Sequence, residues 1–182
     1  AGSLALSYIT SNVTAEISTG ATVTLNNHAD LAVWARNETD ITAVGIGAAA
    51  AVGGTTGAGA VGFSIGLNTI ESETGARLGA TVLAPTADTK TNNVFVRADN
   101  DADIDSVSVA AAVAATRGIA FAGGGAGSGN TLLGATYAVI SGADISGVDA
   151  VNVTAGSNAT IDSVVVGVAI AIAAGSSGAA FS

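Results

Sequence analysis

Bulky and small residues alternate along most of this chain, and the alternation returns three times. In its most apolar part, a Val, Ile or Ala at every second position is separated from the next by Ala, Gly, Ser or Val. Its copies cover residues 44–52, 107–115 and 164–172. A period of two is typical of a β-strand, because successive side chains point to opposite faces. Neither face is polar, so the pattern predicts a strand that is buried on both faces, with a small side that lets another layer approach closely.

A second strand-like segment recurs at intervals of about sixty residues, and its copies are Leu31–Ile41, Val94–Ile104 and Val151–Ile161. A short piece around each Gly20–Val23 equivalent and a returning piece such as Val61–Asn68 complete the block. Gly-rich breaks separate the apolar piece from the returning piece, and such breaks suit tight reversals. Each block is therefore predicted to contain four strand-like pieces.

Self-similarity at a fixed period predicts a stacked array in which each unit buries its apolar face against the next. The predicted fold is all-β, a parallel β-helix-like β-solenoid with repeats at about residues 1–61, 62–124 and 125–182. The alternative is an antiparallel, layered β-sandwich that assembles into a fibre. Because the chain opens and closes at nearly the same phase of the repeat, we expect residues 1–182 to be a single repetitive domain excerpted from a longer array.

Composition narrows the classes of function. The chain carries 14 acidic and 5 basic residues, for a formal net charge of −9. Nucleic-acid partners are not expected, because neutralising phosphates requires clustered Lys and Arg. The chain has no Cys, and its one His, His28, lies in a polar loop. Disulfides, thiolate metal sites and His-dependent catalysis therefore have little basis, so we expect no catalytic residue and no enzymatic activity.

An alternating run of carboxylates is the best candidate for a ligand site. Asp99, Asp101, Asp103 and Asp105 would share one face of a strand. Carboxylates are ligands that Ca²⁺ prefers, so this run predicts a calcium site, Ca²⁺ being the one cofactor considered. The other two blocks do not repeat the run, which favours the alternative of a solvated strand face.

Four Asn-x-Thr sequons, at Asn12, Asn37, Asn152 and Asn158, are candidate N-glycosylation sites. The same tripeptide also arises from polar strand faces and turns.

Among the few aromatic residues, Trp34 and Phe95 are assigned to equivalent positions of neighbouring blocks and are predicted to form a packing ladder.

The motifs of the repeat resemble those of large secreted bacterial proteins. Ala15–Val23, Val94–Val107, Val151–Val164 and the tripeptide at residues 68–70 are similar to repeats of leukotoxin-type filamentous adhesins and, more loosely, of filamentous-haemagglutinin-like exoproteins. The resemblance spans nearly the whole chain through low-complexity motifs. It implies a β-solenoid on a cell surface or in a secreted filament. Haemagglutinin-like coils have about twenty residues, so the longer period here is expected to hold three coils, or two wider ones.

The sequence thus predicts a structural or adhesive repeat segment of an extracellular bacterial surface or filament protein, forming a stiff β-rich rod or fibre. Its expected partners are further copies, joined end to end or laterally, and a host or neighbouring-cell surface. The alternative is a membrane-active secreted toxin segment that inserts apolar hairpins, because residues 41–70 contain no charged residue. Their glycines and period-2 alternation favour a buried hairpin over insertion. A glycan-binding module would need more exposed aromatics than the chain offers.

Overall fold

A computed structural model of the protein describes residues 1–26, 29–84, 92–175 and 177–182. These residues form ten strands: β1 (Gly2–Ile17), β2 (Thr22–Thr24), β3 (Leu31–Val52), β4 (Gly57–Leu78), β5 (Thr81–Leu83), β6 (Asn93–Thr116), β7 (Ile119–Ile140), β8 (Ile145–Ser146), β9 (Ala150–Ala173) and β10 (Gly178–Phe181). Within the described ranges there is no helix of the length and apolarity needed to cross a membrane.

Each repeat forms a single wide coil made of a long strand, a short strand and a second long strand. Coil 1 contains β1 to β3, coil 2 contains β4 to β6, coil 3 contains β7 to β9, and β10 begins a further turn. The coils stack into three sheets: sheet 1 (β1-β4-β7-β10), sheet 2 (β2-β5-β8) and sheet 3 (β3-β6-β9). The predicted all-β solenoid is confirmed. Every strand pairing is parallel, so the antiparallel sandwich alternative is wrong.

The expectation of two or three coils per repeat is wrong, because the predicted pieces merge into long strands. The segment Leu31–Ile41 and the apolar run after it lie in one strand of 22 residues, β3. Nothing between them favours a turn: Thr42 and Ala43 simply continue the alternation. At about 3.3 Å per residue, a long strand makes the coil about 75 Å wide, whereas each coil adds only about 4.8 Å along the stack.

The interior narrows from one end of the coil to the other. Beside sheet 2, large side chains such as Leu78, Val82 and Val96 fill the space between the sheets. Ile41, Ile70 and Ile104 pack in the middle. At the far end the interior consists of alanines: Ala60, Ala112, Ala114, Ala120 and Ala122. The cross-section is therefore a wedge, with a thick end at sheet 2 and a thin end at the turns that join β3 to β4 and β6 to β7.

At the thin end the two long sheets almost touch. A Cβ placed on Gly62 would lie 2.4 Å from the backbone oxygen of Ala111, closer than atoms can pack. The prediction that the small residues permit a close layer is confirmed. The prediction of burial on both faces is wrong, since the bulky residues point outward: Ile46 is 65% exposed and Ile170 is 47% exposed. Large side chains fit only outside, because the space between the sheets admits little more than alanine.

Two belts of polar side chains cross the interior between the apolar clusters. In one belt, Asn37 Nδ2 donates to Asn100 Oδ1 at 2.9 Å, and Thr74 Oγ1 donates to the same oxygen at 3.3 Å. In the other, Asn68 Nδ2 donates to Asn130 Oδ1 at 2.8 Å. Each Asn pair joins equivalent positions of adjacent coils. A buried amide without its partner is costly, so these ladders favour one register of coil on coil.

Replacing Asn100 with alanine should destabilise the fold by about 2 kcal/mol, because the change removes the acceptor of Asn37 and Thr74 and leaves buried donors unpaired. Urea unfolding followed by circular dichroism measures the loss. Asn158→Ala is the control, since Asn158 lies exposed on β9 of the next coil. Equal midpoints for the two variants would show that the interior ladder does not stabilise the stack.

Candidate binding surfaces

The four aspartates of the predicted calcium site share the outward face of β6, at the charged half of the coil. Asp99 pairs in register with Arg36 and Gly156, and Asp103 pairs with Asp40 and Thr160. In the described part of the chain, no group of three or more His, Cys, Asp or Glu side chains is arranged to hold a metal ion. Calcium binding at this run stays a prediction.

Asp99 already has two strong partners. Arg97 Nε donates to Asp99 Oδ2 at 2.6 Å, and Trp34 Nε1 of the neighbouring coil donates to the same oxygen at 2.8 Å. The Arg97 guanidinium also lies 5.5 Å from the centroid of the Trp34 ring. The hydrogen bond from Arg97, assisted by the one from Trp34, lowers the pKa of Asp99 below its ordinary value. This cluster ties coil 1 to coil 2 on the outer surface.

Arg97→Gln should raise the pKa of Asp99, because the change removes the main donor to its charged form. A group with a lowered folded-state pKa stabilises the fold above its unfolded pKa, and this contribution is lost as the pH falls through the folded pKa. NMR titration of the Asp99 carboxyl carbon in both proteins measures the shift. Arg117→Gln, at the opposite end of the coil, is the control and should leave the Asp99 titration unchanged. An unaltered Asp99 pKa in Arg97→Gln would contradict this assignment.

The prediction that Trp34 and Phe95 occupy equivalent positions is wrong, and their packing as a ladder stays a prediction. Trp34 pairs in register with Arg97, whereas Phe95 pairs with Ala32 on one side and Asn152 on the other. The two rings sit two positions out of phase, because Trp34 is the fourth residue of its segment and Phe95 the second. An aromatic contact between coils joins Phe121 and Phe181, which are also two positions out of register and whose ring centroids are 5.6 Å apart.

The sequons divide into accessible and buried positions. Asn12, Asn152 and Asn158 are exposed and remain candidate glycosylation sites. Asn37 is only 5% exposed, and its amide is held within the interior ladder. The prediction for Asn37 is therefore wrong for the folded chain, since a glycan on its Nδ2 would displace the bond to Asn100. His28 and most of the polar loop before β6 lie outside the described residues.

The thin half of the wedge presents an extended apolar surface. On sheet 3, the outward side chains of residues 44–52, 107–115 and 164–172 form a surface that we call the aliphatic face. Val, Ile and Ala make up its three rows, and neighbouring rows are in register, with Ile46 beside Val109 and Val109 beside Val166. Exposed apolar patches larger than a few hundred Å² usually mark interaction sites.

Sheet 1 carries a second apolar surface on the opposite side of the same half. Its rows are less regular. Phe63 and Leu67 project from coil 2, whereas the paired positions of coil 3 are Gly125 and Gly129. The charged side chains of both sheets lie toward the thick half. Apolar and charged surfaces are thus segregated along the width of the coil.

Sequence reasoning found the aspartate run and its pairing across coils but missed the Asn ladders. The signal was present: Asn37 and Asn100 occupy the same position of the strand-like segment, and Asn68 and Asn130 the same position of the returning strand. An amide repeated at one phase of a stack is typical of an interior ladder. The outward direction of the bulky residues had no such signal, because a period of two does not say which face is inside.

No protein-family model, no curated protein and no solved structure matches this chain. The resemblance to bacterial filamentous adhesins stays a prediction.

Proposed function

We propose that this chain is a structural or adhesive repeat segment of an extracellular bacterial surface or filament protein. Stacked coils would form a stiff, β-rich rod with a flat, ribbon-like cross-section. The partners are further copies and, for the assembled filament, a host or neighbouring-cell surface. The adhesin-like motifs of the sequence support the location, and the acidic, cysteine-free composition is compatible with it.

The observation that carries this proposal is the length of the ladders between coils. β3 pairs with β6 over its whole length, from Leu31 with Val94 to Val52 with Ala115. β4 pairs with β7 from Gly57 with Ile119 to Leu78 with Ile140. Long parallel ladders on two closely packed sheets resist bending and local opening, because every coil is held along its full width.

The shape of the coil also favours a structural role. A repeat of about sixty residues lengthens the stack by only about 4.8 Å, because most of its residues extend along the width of the coil. A narrow coil would give a longer filament from the same chain. The residues of such wide coils form broad faces, which suit a wall, a ribbon or a bundled fibre.

Electron microscopy of the purified chain at neutral pH, with and without calcium, tests this role. We expect flat particles or ribbons whose width is that of one coil, about 75 Å. Compact round particles under both conditions would contradict the proposal. A change between the two conditions would support the calcium prediction for the aspartate run.

Dye release from liposomes separates this role from that of a membrane-active segment. We expect no release beyond that of a buffer control. Release at low protein concentration, together with the absence of ribbons, would favour the membrane-active alternative and overturn the structural one.

A further inference from the structure

We propose that the aliphatic face is a lateral self-association surface, which packs against the same face of a second copy of this chain. The inference deepens the structural role proposed above and rests on it. It names the surface by which wide ribbons would pair side by side. The occupant follows from the shape, area and charge of that face.

The aliphatic face is regular along all three of its rows. Its three rows are parallel and in register, and each row repeats Val, Ile or Ala at every second position. A two-fold pairing requires one patch to match itself, which a regular surface does. Sheets packed face to face interdigitate such side chains at a separation of about 10 Å. Sheet 1 is less suited to pairing with itself, because its coil 3 row is largely glycine.

The area sets the expected strength of this contact. Three strands about 4.8 Å apart and nine residues long at about 3.3 Å each give a flat area of about 400 Å² per copy. A standard stable interface buries about 800 Å² per partner. The chain should therefore form a weak, reversible dimer, and a stack with more coils should pair more tightly, because each added coil extends the same surface.

The distribution of charge permits this approach. The acidic side chains of β6 lie on the same side of sheet 3 as the aliphatic face, but from Asp99 to Asp105, toward the thick end. Two copies that pair in opposite directions along their width bring apolar halves together and leave both acidic runs outside the contact. The carboxylates would then remain in water, so the net negative charge opposes association only weakly at physiological salt.

The tips of the thin half favour a second copy over a lipid bilayer. Arg117 is exposed at the turn of coil 2, and Thr55 and Thr56 are exposed at the turn of coil 1. Insertion of the apolar half would carry the charge of Arg117 into or across the hydrocarbon, at a cost of several kcal/mol. Packing of one face on another leaves the tips at the wet rim of the contact.

Sedimentation velocity over a range of concentrations tests the proposal. The test variant is Ile46→Lys/Val168→Lys, which places two charges on the aliphatic face. The control is Thr42→Lys/Thr160→Lys, which adds the same charges to outward positions of the same two strands in the charged half. We expect the test variant to weaken dimerisation roughly 100-fold, because an unpaired charge would be buried. The control should dimerise like the parent chain.

Further measurements keep the outcomes distinct. Ile65→Lys, on sheet 1, should leave dimerisation unchanged. If dimerisation is lost in this variant alone, the contact lies on sheet 1 and the proposal is overturned. A parent chain that is monomeric at every concentration would also overturn it. If that monomer still forms wide particles in the microscope, the structural role survives. Flotation with phosphatidylcholine vesicles that is abolished by Ile46→Lys/Val168→Lys but not by the control would assign the face to lipid instead.

Discussion

Gly62→Val is expected to destabilise the protein by about 3 kcal/mol or more, although valine favours strands and glycine does not. Gly62 lies inside the thin half of the wedge, on β4 of the central coil. A Cβ there would sit 2.4 Å from the backbone oxygen of Ala111 and 3.4 Å from that of Gly47. Backbone atoms of two neighbouring strands would have to move, and the ladders on either side resist that movement.

Gly59→Val is the matched control, because Gly59 lies three residues away on the same strand and points outward. The nearest neighbour of a Cβ added there is the backbone oxygen of Phe121 at 4.0 Å, an ordinary contact. This variant should be as stable as the parent or slightly more so. Denaturant midpoints of both variants, measured at protein concentrations too low for dimers to form, test this difference in stability. Equal stability would show that the sheets are farther apart at the thin end than the structure places them.

Ile104→Ala is expected to cost about 4 kcal/mol, within the range for emptying a well-packed site. Ile104 is 1% exposed and belongs to the central cluster with Ile41 and Ile70. It pairs in register with Ile41 on one side and Ile161 on the other. Coils above and below hold the backbone, so the cavity left by the side chain cannot close easily.

Ile46→Ala tests whether burial, rather than the loss of isoleucine, produces this cost. Ile46 is 65% exposed on the aliphatic face. Its truncation should change stability by less than about 1 kcal/mol in a dilute sample. Thermal and urea unfolding of both variants provide the comparison. A similar loss in both would mean that the outward residues, not the central cluster, form the core.

The sequence was sufficient to predict the class of fold and the pairing of equivalent segments. Leu31, Val94 and Val151 align by sequence and are paired in the structure. It was insufficient to predict the number of coils, because a strand of 22 residues is far longer than the usual five or six. Sequence reasoning therefore divided each long strand into shorter pieces.

The direction of the side chains at the thin end also lay beyond the sequence. Ile46 and Gly47 alternate, and the ordinary rule places the bulky residue inside. Here the glycines face inward and allow the sheets to approach, as at Gly47, where an added Cβ would collide with the backbone of Phe63. Which face is inside depends on how closely the opposite sheet packs, and that is a property of the whole coil.

Small-angle X-ray scattering from a dilute sample tests most directly the central claim that one wide coil corresponds to each repeat. A stack of three such coils is a slab, and we predict a maximum dimension of about 80 Å. Several narrow coils per repeat, or a compact domain, would give a particle whose maximum dimension is well below 80 Å. A compact domain of this length has a radius of gyration of about 16 Å. A particle of that smaller size would contradict the account, whereas the slab would support it.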